Sequence, residues 1–195
     1  MAVRPVVQIG HPALKAVNQT IADFHSPRLR RLIKDLTDTM HDNGLIGIAA
    51  PQVAKNYRVF VTHVRNTGSR KLTRSDRMRV YINPTIAYFS RDKQIIYEGC
   101  GSVAFGELFA PVRRPVRVVI EANDETGTRF SLTCDGILSR VIQHEYDHLS
   151  GIEFTEKIAD YRQILFRDFY LKNIKNSKAQ KQAVRVTTCV WKRIG

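Results

Sequence analysis

The sequence predicts an α+β fold in which small antiparallel sheets surround a central histidine-bearing helix, flanked by N- and C-terminal helices. Three observations carry that expectation. Two separate segments, about 26–43 and 135–151, repeat apolar residues at helical spacing. Between them the texture changes to runs rich in β-branched and aromatic residues: "YRVFVTHV", "RVYINP", "QIIYEG" and "VRVVIEA". "VRVVIEA" and "RFSLTC" flank the turn sequence "NDETG" at 123–127, which reads as an antiparallel hairpin.

Taken in chain order, the first helix starts at Ser26-Pro27, a capping hydroxyl followed by a proline in the first turn. Leu29, Leu32, Ile33, Leu36 and Met40 then form one apolar stripe, which ends at Asn43-Gly44. The following "GLIGIAAPQV" is apolar but too glycine-rich for a helix. Residues 65–77, "RNTGSRKLTRSDR", read as an exposed loop. The second helix runs from Asp135 along Ile137, Leu138, Val141, Ile142 and Leu149, with Gly151 placed to end it. A third, basic helix is expected over about 156–175 from its periodicity. Trp191 and its apolar neighbours read as a late strand or a docking edge.

The 195 residues are expected to form one domain, with 1–160 as its catalytic part and 161–195 as a basic helix and tail belonging to it. Charged residues make up 25% of the chain and no apolar run reaches membrane-spanning length, so a membrane role is not expected. The start, "MAVRPVVQIG", lacks the pattern of a secretory signal, and a cytoplasmic setting is the expectation. Cys100, Cys134 and Cys189 are odd in number and widely spaced, which argues against a disulfide framework. The formal net charge of +13 attracts polyanions, RNA and ribosomes among them.

The chemistry concentrates in "QHEYDHLSG", 143–151. Residues four apart on a helix lie one above the other, so His144 and His148 project side by side and can share one tetrahedral metal ion. Glu145 then stands beside the metal without being a ligand. A catalytic site of this kind takes three protein ligands. The third is open between acidic residues downstream (Glu153, Glu156, Asp168) and Cys100, which two glycines flank in "YEGCGSV".

Three segments in order resemble the peptide deformylase family: "LIGIAAPQ" (45–52), "EGCGS" (98–102) and "QHEYDHLSG", with "HPALKAVNQTI" similar to that family's usual opening. The likeness spans about residues 5–160. It implies a peptide-deformylase-like fold, with Cys100, His144 and His148 as ligands of one divalent ion and Glu145 as general base and acid. It further implies that the Gln52 side chain and the Gly101 backbone N–H stabilise the developing oxyanion. The implied reaction removes the formyl group from the N-terminal formylmethionine of nascent chains, through a water that the metal activates. Ile46, Gly47, Gly99, Ile137 and Val141 are the expected substrate-binding residues; for Ile46, Ile137 and Val141 a plain core role stands as an equal alternative. Iron(II) is the implied cellular metal, with zinc, nickel or cobalt accommodated by the same donors. Neither DNA nor a membrane is an expected partner, whereas the basic segment 162–185 is a candidate ribosome or rRNA contact.

Three positions depart from the family pattern. Leu45 stands where the first loop glycine is usual, Gly101 replaces a leucine, and Glu107 falls where many relatives carry arginine. Two rival readings follow. One is an H-E-x-x-H metallopeptidase with Asp168 as third ligand; the other is a catalytically weak or inactive deformylase-like module that binds ribosomes or formylated peptides.

Overall fold

A computed structural model describes residues 3–67, 72 and 74–195. Its helices and strands, in chain order, are α1 (Pro27–Asp42), β1 (Gly47–Ala49), β2 (Val59–Thr62), β3 (Arg79–Phe89), β4 (Lys93–Glu98), β5 (Leu108–Pro115), β6 (Val118–Asn123), β7 (Arg129–Cys134), α2 (Gly136–Leu149), β8 (Leu165–Phe166), α3 (Arg167–Asn173), α4 (Lys178–Ala183) and β9 (Cys189–Arg193). Short 3₁₀ turns punctuate the loops. Both sheets are antiparallel: six strands ordered β1-β2-β3-β6-β7-β9, and three ordered β4-β5-β8.

At its β1–β2 end the six-stranded sheet is buried on both faces, and the alternation of β2 shows how. Val59 and Val61 point to α1, joining Leu29, Leu32, Leu36 and Met40. Phe60 points the other way, joining Leu138, Ile142 and Leu149 of α2 together with Tyr81, Ile120 and Leu132. Each such side chain removed from water contributes roughly 1.5–3 kcal/mol. Helix α1 begins as expected: the Ser26 hydroxyl accepts from the Leu29 N–H, with Pro27 in the first turn. Two residues past the end of α2, Gly151, with a φ of +70°, takes the chain out of the helical register. The hairpin across "NDETG" is β6–β7, from Val118↔Cys134 to Asn123↔Arg129.

The expected third helix over 156–175 is corrected. That stretch holds two 3₁₀ turns, the short strand β8, and only then the seven-residue α3. The Asp160 carboxylate accepts from the Arg162 N–H and closes a tight turn. Leu165 and Phe166 then pair with Phe109 and Leu108, which takes their backbone groups out of any helix. Of the loop expected over 65–77, residues 68–71 and 73 lie outside the described part. Leu72, by contrast, packs on the core, and Asp76 is paired with Arg79 at 2.6 Å. Trp191 lies in β9 opposite Leu132, so the C-terminal end is the last strand of the large sheet.

Candidate metal centre

Two open sheet edges, β1 of the large sheet and β4 of the small one, face a single cavity of about 390 Å³, and α2 supplies its floor. The approach of β1 to α2 is close enough to require glycine. A β-carbon on Gly47 would come within 2.5 Å of the Val141 side chain and 2.6 Å of a Glu145 carboxylate oxygen. Helix geometry puts His144 and His148 on one face of α2, and the loop after β4 brings Cys100 to them. The three ligand atoms lie within 4.8 Å of one another, and the Cys100 Sγ to His148 Nε2 distance is 3.3 Å.

His144 and Gln52 are each oriented by a neighbour, whereas the buried His148 Nδ1 has no hydrogen-bond partner among the described residues. His144 Nδ1 meets Glu98 Oε2 at 3.0 Å, which leaves its Nε2 for the centre. Glu98 is in turn gripped by Arg114 at 2.8 and 3.0 Å and by Arg140 at 2.8 Å. Arg114 also donates to Asp147 of α2. Burial alone would raise the Glu98 pKa, but the charge of Arg114 and the contact with His144 hold it well below the usual carboxylate range. The Gln52 carboxamide is fixed by the Ala49 N–H, which donates to its Oε1 at 2.8 Å. Its Nε2 therefore faces Ser102 Oγ at 3.2 Å and Cys100 Sγ at 3.6 Å.

Glu145 differs from Glu98. It is buried, its Oε2 has no hydrogen-bond partner, and burial pushes its pKa up to about 7. A buried carboxylate oxygen without a partner is costly unless something else occupies the space beside it. A cysteine sulfur and two imidazoles within reach of one point, beside that oxygen, suit a borderline-soft divalent cation.

All five expected substrate-binding residues, Ile46, Gly47, Gly99, Ile137 and Val141, line the cavity, as do Gln52, Cys100, Gly101, His144 and Glu145. Ile46, Ile137 and Val141 also belong to the main core cluster, so for them the two readings coincide. Asp168 is exposed and lies outside the ligand cluster, and Glu153 and Glu156 pair with Lys15 instead. The metallopeptidase reading thereby loses its third ligand. The sequence reading missed Glu98, Arg114 and Asp147, although Glu98 and Asp147 stand inside the quoted motifs. It also missed a wall built by the C-terminal segment: Arg167, Tyr170, Gln180 and Val184. Glu107 does not leave the cavity without a cation, because Arg167 stands 3.8 Å from its carboxylate.

A mononuclear metallohydrolase is the class of protein that this fold and donor set define. A family profile described as polypeptide deformylase matches residues 3–163. The peptide deformylase of Treponema pallidum is 38% identical over 154 residues, covering 79% of this chain and 87% of the relative. That of Brucella suis is 31% identical over 186 residues, covering 95% and 99%. Among solved structures, a class I type b peptide deformylase from Acinetobacter baumannii superposes with a TM-score of 0.76 at 31% identity, over 81% of this chain and 100% of that one. The Ehrlichia chaffeensis enzyme gives 0.73 at 28%, over 90% and 97%. The chain belongs to the polypeptide deformylase family.

Proposed function

We propose that this chain is an active peptide deformylase, a metal-dependent hydrolase that removes the formyl group from the N-terminus of nascent peptides. The observation that carries the proposal is the unpartnered Glu145 carboxylate oxygen beside three converging donors, Cys100, His144 and His148. A protein kept only for binding has no use for a buried, unpaired carboxylate at that point. The Acinetobacter relative was crystallised with Met-Ala-Ser bound, a peptide of the product type.

In this reading Cys100, His144 and His148 hold one divalent ion, iron(II) in the cell, with zinc, nickel or cobalt able to replace it. When bound, such an ion lowers the pKa of a coordinated water from 15.7 to about 7. Glu145 accepts the water proton and returns it to the leaving nitrogen, which cannot depart as an amide anion. Gln52 Nε2, already turned toward the sulfur, donates to the oxygen that becomes negative. The Gly101 N–H is the second donor. The methionine side chain lies against Ile46, Ile137 and Val141, where the backbone at Gly47 and Gly99 leaves room for the chain. Formate release from a formyl-methionyl peptide tests the whole reading, with Glu145→Gln as the control that should retain metal and lose activity about 10²–10⁴-fold.

The same proposal places the protein in the cytoplasm beside ribosomes. Its net charge of +13 and the exposed Lys172, Lys178, Lys181 and Arg185 support contact with rRNA. Deleting 162–195 would also remove β9 and one cavity wall, so charge reversal is the cleaner probe. Lys172→Glu, Lys178→Glu and Lys181→Glu together should reduce co-sedimentation with ribosomes, and unchanged pelleting would argue against the contact. Among the described residues, no helix is long and apolar enough to cross a membrane.

A further inference from the structure

Strand β4 is the open edge of its sheet, yet one point on that edge is already taken. The Gln180 side chain, from α4, meets both backbone groups of one residue. Its Oε1 accepts from the Tyr97 N–H, and its Nε2 donates to the Tyr97 carbonyl, each at 3.4 Å. Gln180 is buried, and its Nε2 also reaches the Tyr170 hydroxyl at 3.4 Å. Tyr170 stacks on Phe109 with ring centres 4.0 Å apart, which seats this wall against β5. A side-chain amide placed this way copies a single peptide unit of a neighbouring strand.

The register shows what lies beside it. Tyr97 pairs with Pro111, whose carbonyl accepts from the Ala159 N–H on the far side and whose nitrogen carries no hydrogen. Tyr97 therefore turns its N–H and C=O outward, to the open edge. Two residues on, Gly99 shares that outward phase. Its counterpart Phe109 spends its backbone on β8, opposite Leu165. Gly99 lines the cavity beside Cys100, so its outward groups are the last pairing position before the metal centre.

We propose that Gln180 is a strand terminator that sets how much of the substrate is read: an extended peptide pairs at Gly99, one residue past the end of β4, and Gln180 occupies the next place, at Tyr97. This rests on the deformylase reading above, which puts the formyl end at the Cys100 centre; that the rest of the chain runs back along the β4 edge is part of the present proposal. Gln180 is thus a specificity-determining residue. It makes recognition nearly independent of peptide length beyond about three residues, as suits an enzyme that must accept every nascent sequence. The residue lies past position 163, where the match to the family profile ends.

The test is a length series. Binding of deformylated methionyl peptides of two to six residues, extended with alanine and serine, is measured by calorimetry on the full-length, metal-loaded protein. Formate release from the formylated series is followed in parallel. In the wild type, affinity and kcat/KM should rise to about three residues and then stay flat. Gln180→Ala should free Tyr97 and add about tenfold for five and six residues, the worth of one backbone pair, while leaving the two-residue peptide unchanged. Gln180→Asn, which withdraws the amide by one methylene and keeps the site polar, should act in the same direction and decides the matter if the alanine variant fails to fold. A wild-type profile that keeps climbing past three residues, or variants that keep the wild-type profile, would overturn the proposal. Failure of the deformylase reading looks different: no formate from even the shortest substrate, whereas the calorimetric series still reports on Gln180.

Discussion

The Leu45 side chain fills the space that a side chain on Gly101 would take: its Cδ1 lies 3.3 Å from where a Gly101 β-carbon would stand. The two positions depart from the family pattern in opposite senses, leucine for glycine at one and glycine for leucine at the other. The contact makes an exchange between them testable, since the apolar group at this spot comes from the residues just before β1 and not from the cysteine loop.

Gly101→Leu alone should therefore leave metal content unchanged and lower turnover or substrate affinity, because the new side chain displaces Leu45 from the cavity lining. Adding Leu45→Gly should recover part of the loss. A double-mutant cycle on kcat/KM should show coupling of about 0.5–3 kcal/mol. Additive effects would separate the two departures, and loss of metal from the single variant would show that the loop is assigned wrongly.

Glu98 orients His144, a proposed metal ligand, and balances two buried guanidinium groups at once. Glu98→Gln should weaken metal binding about 10–100-fold in chelator competition. It should also cost stability of roughly 3–5 kcal/mol by denaturant unfolding, since Arg114 and Arg140 lose their shared countercharge. Metal affinity equal to wild type would remove Glu98 from the centre's support.

Asp135, just before α2, ties the C-terminal segment to the helix that carries His144 and His148. Its carboxylate accepts from the Thr187 and Thr188 N–H groups at 2.7 and 2.8 Å, and from the Thr187 hydroxyl. Burial alone would raise its pKa, but the bonds from Thr187 and Thr188 outweigh it and lower it from the ordinary 3.8. A depressed carboxylate contributes its stability above the unfolded-state value and loses it as pH falls through the folded value. Asp135→Asn should lower stability by about 1–3 kcal/mol at neutral pH. The gap from wild type should hold down to the ordinary value and narrow only below it. A gap that stayed constant into strong acid would contradict this.

Much of this centre is legible in one dimension because its chemistry rests on local spacing. His144 and His148 need only helical periodicity, and Cys100 needs only flanking glycines and the neighbouring motifs. The groups that hold them are not local. Glu98, Arg114, Arg140 and Asp147 meet only when the β4–β5 register brings Glu98 opposite Ala110 and α2 packs across the pair. The C-terminal segment was misread for a related reason. Its apolar residues recur at nearly helical intervals, but Leu165 and Phe166 find backbone partners on β5 and Tyr170 finds Phe109, contacts that no local pattern encodes. Gln180, a polar residue in a Lys-rich stretch, looks solvated until the fold sets it against Tyr97.

The central claim is that Cys100 joins two helix-borne imidazoles on one cation that powers deformylation. Its most direct test is metal content after anaerobic purification, paired with formate release, for wild type and Cys100→Ser. One equivalent of metal with formate production in the wild type, and both strongly reduced in the serine variant, is the predicted result. A serine variant that kept full metal and full activity, or a fully loaded wild type that released no formate, would contradict it.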